Sequence, residues 1–279
     1  MKHLLVLFMV LLPIMAIAQV RVVSAAKPLD EEKKFKYDSI DNCPLIYAEQ
    51  CRGQELFLMP KKDLFGFQQK DKKGLYKTAD MSDYVGHVFD VIDVINGKEY
   101  TGAKLIIRDK ETQEEFRYSF PFSDAGWPFL TLGYKAKYES KHKGKQFVSG
   151  LMTSQHDFNT GESLGSLSGT VWTFEEMISS EDGKINFLFT DDNGRSMALD
   201  KFWLKQMHPK SDIDLYISKY GKEMVETALE GSVVIGMPSE LVKIAKGSPD
   251  KINKASYGQQ WVYKHKYIYI KDGKVTGWN

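Results

Sequence analysis

The sequence is short of almost every residue type that announces a chemistry. It holds two cysteines, Cys43 and Cys51, in 279 residues. Their spacing is not the C-x-x-C of a redox pair, and with no histidine nearby they make a poor zinc site. His87, His142, His156, His208 and His265 form no H-E-x-x-H or H-x-H pattern. No G-x-G-x-x-G or phosphate-binding loop occurs. Charge of one sign is lacking as well: 38 basic residues stand against 37 acidic ones. Nucleic acid rewards a concentrated basic surface, so this balance excludes it as the expected partner. After the first residues no long apolar run follows, which leaves no transmembrane segment to expect.

The one apolar run that exists is at the N-terminus. Lys2 and His3 precede Leu4 to Ile17, and Ala16-Ile17-Ala18 is a small-x-small cleavage site before Gln19. The run is too short for a bilayer core of ~30 Å, which needs ~20 helical residues. It reads as a signal peptide over residues 1–18, cleaved after Ala18. No cysteine follows the site, so the expectation is a periplasmic or secreted protein that is not a lipoprotein. Cleavage removes one basic residue and no acid, leaving 37 of each sign in 261 residues. An oxidising compartment would let Cys43 and Cys51 pair. A continuous helix would hold their Cα atoms ~12 Å apart, beyond disulfide reach, so pairing requires a loop or hairpin between them.

Aromatic residues are plentiful, at 13%, and many alternate with polar ones, as in strands. Gly86 to Ile95 lines up with Gly169 to Ile178, and Leu105 to Asp109 with Phe187 to Asp191. A polar turn and a further alternating stretch follow in both places, and Gly53 to Phe57 is echoed by Gly144 to Val148. The expectation is two related antiparallel β-modules, 53–140 and 141–205, each a small barrel or a meander, after an N-terminal segment, 19–52. Asn96-Gly97, Asp182-Gly183 and Asn193-Gly194 supply hairpin turns. Between the modules lies Gly126-Trp127-Pro128-Phe129. Trp127 and Phe129 are candidates for a binding edge, with a plug at the end of a barrel as the alternative.

From 206 the pattern changes to helices. One stretch runs from Asp212 past Gly221 to Leu229. A second follows Pro238, with Glu240 in its first turn and Gly247 and Pro249 at its end. Alternating runs at 260–263, 267–270 and 274–278, the last two joined by Asp272-Gly273, predict two helices on a three-stranded antiparallel sheet. An exposed edge strand is expected near Lys264 to Tyr269.

The motifs of this segment, in order, are Gly236-Met237, Val242, Gly247-Ser-Pro249-Asp250, Trp261-Val-Tyr263, the strand Tyr267 to Ile270, and Asp272-Gly-Lys-Val275. They resemble the SmpA/OmlA (BamE-like) domain family over residues ~220–279. Pro238 stands where the family usually has a capping threonine. The lipobox of its best-known members is missing. The resemblance implies an α+β envelope domain with an interaction role.

Other candidate chemistry dissolves on counting. His156-Asp157 lacks an accompanying G-x-S-x-G. Asp191 to Gly194 fails as a calcium loop, because placing Gly194 at position six puts Phe189 at position one. Glu114-Glu115 and Glu175-Glu176 read as exposed strand residues. The sequence therefore points to a β-rich α+β chain with no catalytic residue, cofactor or metal. It would work by binding an envelope or extracellular protein, or a polysaccharide. Inhibition of a secreted hydrolase, or hydrolysis of a glycan by carboxylates that only the fold assembles, are the alternatives.

Overall fold

The computed structural model describes residues 41–42, 48–60, 64–95, 97, 102–119, 126–256, 258–264 and 266–279. The expected signal peptide, the segment 19–40, Cys43, Asn96 and His265 lie outside the described residues. The chain is α+β and β-rich; its described residues form four α-helices and three antiparallel sheets, none closed into a barrel. No helix among the described residues is long and apolar enough to cross a membrane.

The first sheet has seven strands: β1 (Glu55–Leu58), β2 (Phe67–Lys70), β3 (Tyr76–Thr78), β4 (Val88–Ile95), β5 (Lys104–Asp109), β6 (Glu115–Ser119) and β7 (Phe129–Thr131), in the order β3-β2-β6-β5-β4-β1-β7. Helix α1 (Leu132–His142) follows directly. The second sheet contains β8 (Gln146–Ser149), β9 (Val171–Ser179), β10 (Ile185–Thr190), β11 (Ser196–Asp200) and β12 (Met207–Pro209), in the order β11-β10-β9-β8-β12. Helix α2 (Lys210–Tyr220) follows that.

These two units repeat one topology. Without the β2–β3 hairpin, the first sheet reads β6-β5-β4-β1-β7, strand for strand equivalent to the second. The register is the same too. Leu56 faces Phe89 and Thr131, as Phe147 faces Trp172 and Pro209. Each long strand also carries a bulge at the matching place, Ile92 between Val91 and Asp93 and Glu175 between Phe174 and Glu176. An extra residue there bends the strand and sharpens its twist. Even single bonds coincide: Gly53 N–H donates to Val91 O and Gly144 N–H to Phe174 O.

The helices stack the units. The face of the first sheet carrying Leu56, Phe89, Leu105, Phe116 and Tyr118 forms one core with Ala48, Cys51 and Met81. The opposite face offers Phe57, Val88 and Leu130 to α1, which packs on β1 and β7. Helix α1 also lies against β9 of the second sheet, where Tyr134 and Tyr138 join Trp172, Phe174, Phe187 and Phe189. The far face of that sheet gives Val148 and Val171 to α2 and to the third core. Each fully buried large side chain stabilises by about 1.5–3 kcal/mol, and two of the three cores draw such side chains from successive units.

The C-terminal part departs from the expected two helices on three strands. Gly221, at φ 85° and ψ 153°, breaks the first stretch into α2 and α3 (Lys222–Leu229). That conformation suits a residue without Cβ. Helix α4 (Ser239–Lys246) follows Pro238 and ends at Gly247. The sheet has four strands: β13 (Lys251–Ala255), β14 (Gly258–Tyr263), β15 (Lys266–Lys271) and β16 (Lys274–Trp278), in sequence order. Strand β13 is mostly exposed lysine, asparagine and alanine, with no alternating apolar signal. Strand β15 pairs with β14 on one side and β16 on the other, so the expected exposed edge near Lys264 to Tyr269 lies inside the sheet, and β13 and β16 are its outer strands. The turn between β15 and β16 is tight, with Asp272 at φ 49° and Gly273 at φ 75°.

Candidate interaction surface

The residues singled out in the aromatic loop are core. Trp127 is 3% exposed and Phe129 0%, and both pack edge-on in a cluster with Tyr118 and Phe67. Phe129 begins β7, whose pairing with β1 turns its ring inward. Neither ring is an accessible binding edge. Cys51 is also buried, in the last turn of a 3-10 segment, Ala48–Cys51.

The titratable candidates disperse into local structural roles. Asp157 accepts backbone N–H groups of Asn159, Thr160 and Ser196, and these bonds, Ser196 foremost, hold its carboxyl below the usual range. His156 instead contacts Gly161 O. Asp191 caps the β10–β11 turn through the N–H groups of Asn193 and Arg195, an Asx-type turn. Its counterpart Asp109 is fully buried and takes the Thr112 N–H and hydroxyl. Burial alone would raise the Asp109 carboxyl, yet the bonds from Thr112 and His87 outweigh it and the net direction is down. His87 Nδ1 lies 3.2 Å from that carboxylate. The nearby Thr112 hydroxyl bonds to Asp109 rather than to the imidazole, so the pair is not assembled as a nucleophile and base. His142 is half-buried beside Tyr138 rather than solvated. Burial, followed by Lys141 and Lys145, lowers its pKa.

The carboxylate pairs are split as well. Glu114 binds the Tyr84 hydroxyl and Glu115 binds Arg108. Glu175 accepts from Thr190, while Glu176 faces Lys135 at 3.6 Å. Among the described residues no three His, Cys, Asp or Glu side chains are grouped to hold a metal ion.

What remains is a surface. On β14 and β15 the buried Trp261, Ile268 and Ile270 point to the helices. Alternation therefore turns Gln260, Val262, Tyr267, Tyr269 and Lys271 the other way. Register sets three rows across that open face. One runs Lys251, Val262, Tyr267; the next Asn253, Gln260, Tyr269, Gly277; and the last ends in Lys271 and Lys274. The middle row is a hydrogen-bonded ladder: Asn253 Nδ2 donates to Gln260 Oε1 at 3.0 Å and Gln260 Nε2 to the Tyr269 hydroxyl oxygen at 3.3 Å. No residue of these rows belongs to a buried core. Tyr267 and Tyr269 were legible as sharing a side, but Asn253 was not, because β13 carries no strand signal.

No protein-family model matches this chain, and no curated protein matches it.

Proposed function

We propose that the protein is exported and acts by binding, without chemistry of its own, to another protein of the cell envelope or extracellular space. The observation that carries this reading is the open face of the β13–β16 sheet. Its polar side chains are tied to one another in a fixed array, and order established before binding lowers the entropic cost of docking a partner. The resemblance of residues ~220–279 to the SmpA/OmlA family favours the same segment as the contact region. The two stacked β-units then serve as a rigid body that presents it. The dispersal of His156, Asp157, Asp191 and the glutamate pairs into turns and ion pairs weighs against the glycan-hydrolase alternative.

Site-specific photo-cross-linking in the native host tests the reading. A cross-linker replacing Asn253 is expected to capture a discrete protein from envelope or medium fractions, and one replacing Asp192 on the β10–β11 turn is not. The mature chain should begin at Gln19 by N-terminal sequencing. Capture of a hydrolase whose activity the purified protein abolishes would select the inhibitor alternative. Equal or no capture from both positions would sink the binding role of this face.

A further inference from the structure

Residues 243–279 contain eight lysines, two aspartates and no glutamate or arginine. The other 242 residues therefore hold 30 basic and 35 acidic side chains, from totals of 38 and 37. The near-neutral chain thus joins a basic C-terminal segment, the end of α4 and the last sheet, to an acidic remainder, and the overall balance conceals it. Both aspartates lie at turns: Asp250 takes the N–H of Lys264, and Asp272 sits in the β15–β16 hairpin. The three rows of the open face bring no acidic side chain to oppose Lys251, Lys271 and Lys274, all of them exposed.

The ladder adds a direction. Because Gln260 Nε2 donates to the Tyr269 oxygen, the phenolic hydrogen is left to donate outward. A lysine ammonium also only donates. The polar groups at Tyr269, Lys251, Lys271 and Lys274 therefore call for acceptors, and the ammonium groups call for negative ones. With strands ~4.8 Å apart and ~3.4 Å per residue along them, Lys251 lies two rows and up to three strands from Lys271 and Lys274, so the lysines spread over roughly 20 Å, the reach of about six extended residues.

We propose, building on the binding reading above, that this face docks an acidic polypeptide segment of its partner. Lys251, Lys271 and Lys274 receive the carboxylates, and the Tyr269 hydroxyl donates to one of them. A single-stranded nucleic acid would instead need open ring faces to stack on. Here both tyrosines are partly buried, and Tyr269 is tied through its hydroxyl to Gln260.

The test is titration of the full mature protein with a deca-glutamate peptide, a deca-glutamine control, a polyuronate and a single-stranded oligonucleotide. Binding to deca-glutamate alone is expected, falling at least about tenfold between ~50 and ~500 mM salt. The triple variant Lys251→Ala/Lys271→Ala/Lys274→Ala should weaken it by a further tenfold or so, and Tyr269→Phe about threefold. Removing three lysines from the β2–β3 hairpin region, Lys70→Ala/Lys72→Ala/Lys73→Ala, should change it less than twofold. Tyr269→Phe keeps the ring, so its effect separates lost recognition from lost folding. Retained deca-glutamate binding in the triple variant overturns the proposal, as does a preference for polyuronate or oligonucleotide. If deca-glutamate does not bind but the cross-linked partner is still captured from Asn253, the acidic-segment inference fails while the binding role stands.

Discussion

Lys135 sits on α1 with its ammonium buried between Glu139 and Glu176 and donating to Met177 O at 2.7 Å. Glu139 accepts the Met177 N–H. Both backbone groups belong to the part of β9 that runs past β8, whose pairing with β9 stops at Thr173. The ion pair therefore stands in for a missing strand. In the first unit the equivalent Val94 is satisfied differently, its N–H by Asp93 and its carbonyl approached by Arg52. Lys135→Met should cost about 2–4 kcal/mol in urea unfolding, since it strips two partly buried carboxylates of their partner and leaves Met177 O bare. Lys184→Met, which breaks the exposed pair with Asp182, should stay within about 0.5 kcal/mol. Similar losses for the two variants would refute the strand-capping role. None of this was legible in the sequence, where a lysine among Tyr134, Tyr138 and Lys137 reads as surface.

Helices and strands show the same division. The β15–β16 hairpin was legible because Asp272-Gly273 separates two alternating runs, and α4 because Pro238 and Gly247 bracket its apolar face. Helix α1 was not, since its buried face mixes Tyr134 and Tyr138 with Lys135 and blurs the helical period. Strand β12 was missed because it is three residues long and ends in proline. Its His208 occupies the place that Leu130 holds in β7. Burial pushes the His208 pKa down, with Asp212 opposing. The unfolded chain takes up this proton near pH ~6.5 and the folded one only at lower pH. Between those values the unfolded state binds more protons, so stability is lost as pH falls below about 6.5. Replacing the imidazole with the apolar side chain of the other unit, His208→Leu, should flatten the decline of unfolding free energy with acid in that window. An unchanged slope would place the titration elsewhere.

At the scale of the molecule, one helix belongs to two units at once. Tyr138 follows the first sheet in the chain, yet its ring lies 4.9 Å from Phe187 and 5.4 Å from Phe174 of the second. Tyr138→Ala should cost roughly 2–4 kcal/mol. Hydrogen exchange should show the loss of protection mainly in β9 and β10, with β4 and β5 affected less. The opposite pattern would mean that α1 stabilises only its own sheet. The same stacking explains why Phe57 and Leu130 of the first sheet join the second unit's core, and Val148 and Val171 of the second sheet join the core of the last.

The sequence by itself determined the β-rich α+β class, the paired strand patterns at 86–95 and 169–178, the turns at Asp182-Gly183, Asn193-Gly194 and Asp272-Gly273, and the helix bounded by Pro238 and Gly247. These are local signals, written in periods of two and 3.6 residues and in the backbone freedom of glycine and proline. Only the tertiary structure decided that Trp127 and Phe129 are core, that β13 joins the last sheet, and that α1 and α2 bridge successive units. Burial and edge pairing depend on which faces meet, and those faces come from residues far apart in the chain. The basic open face depends on both: its lysines can be counted in the sequence, but cross-strand register brings Lys251 on β13 and Lys274 on β16 onto one surface.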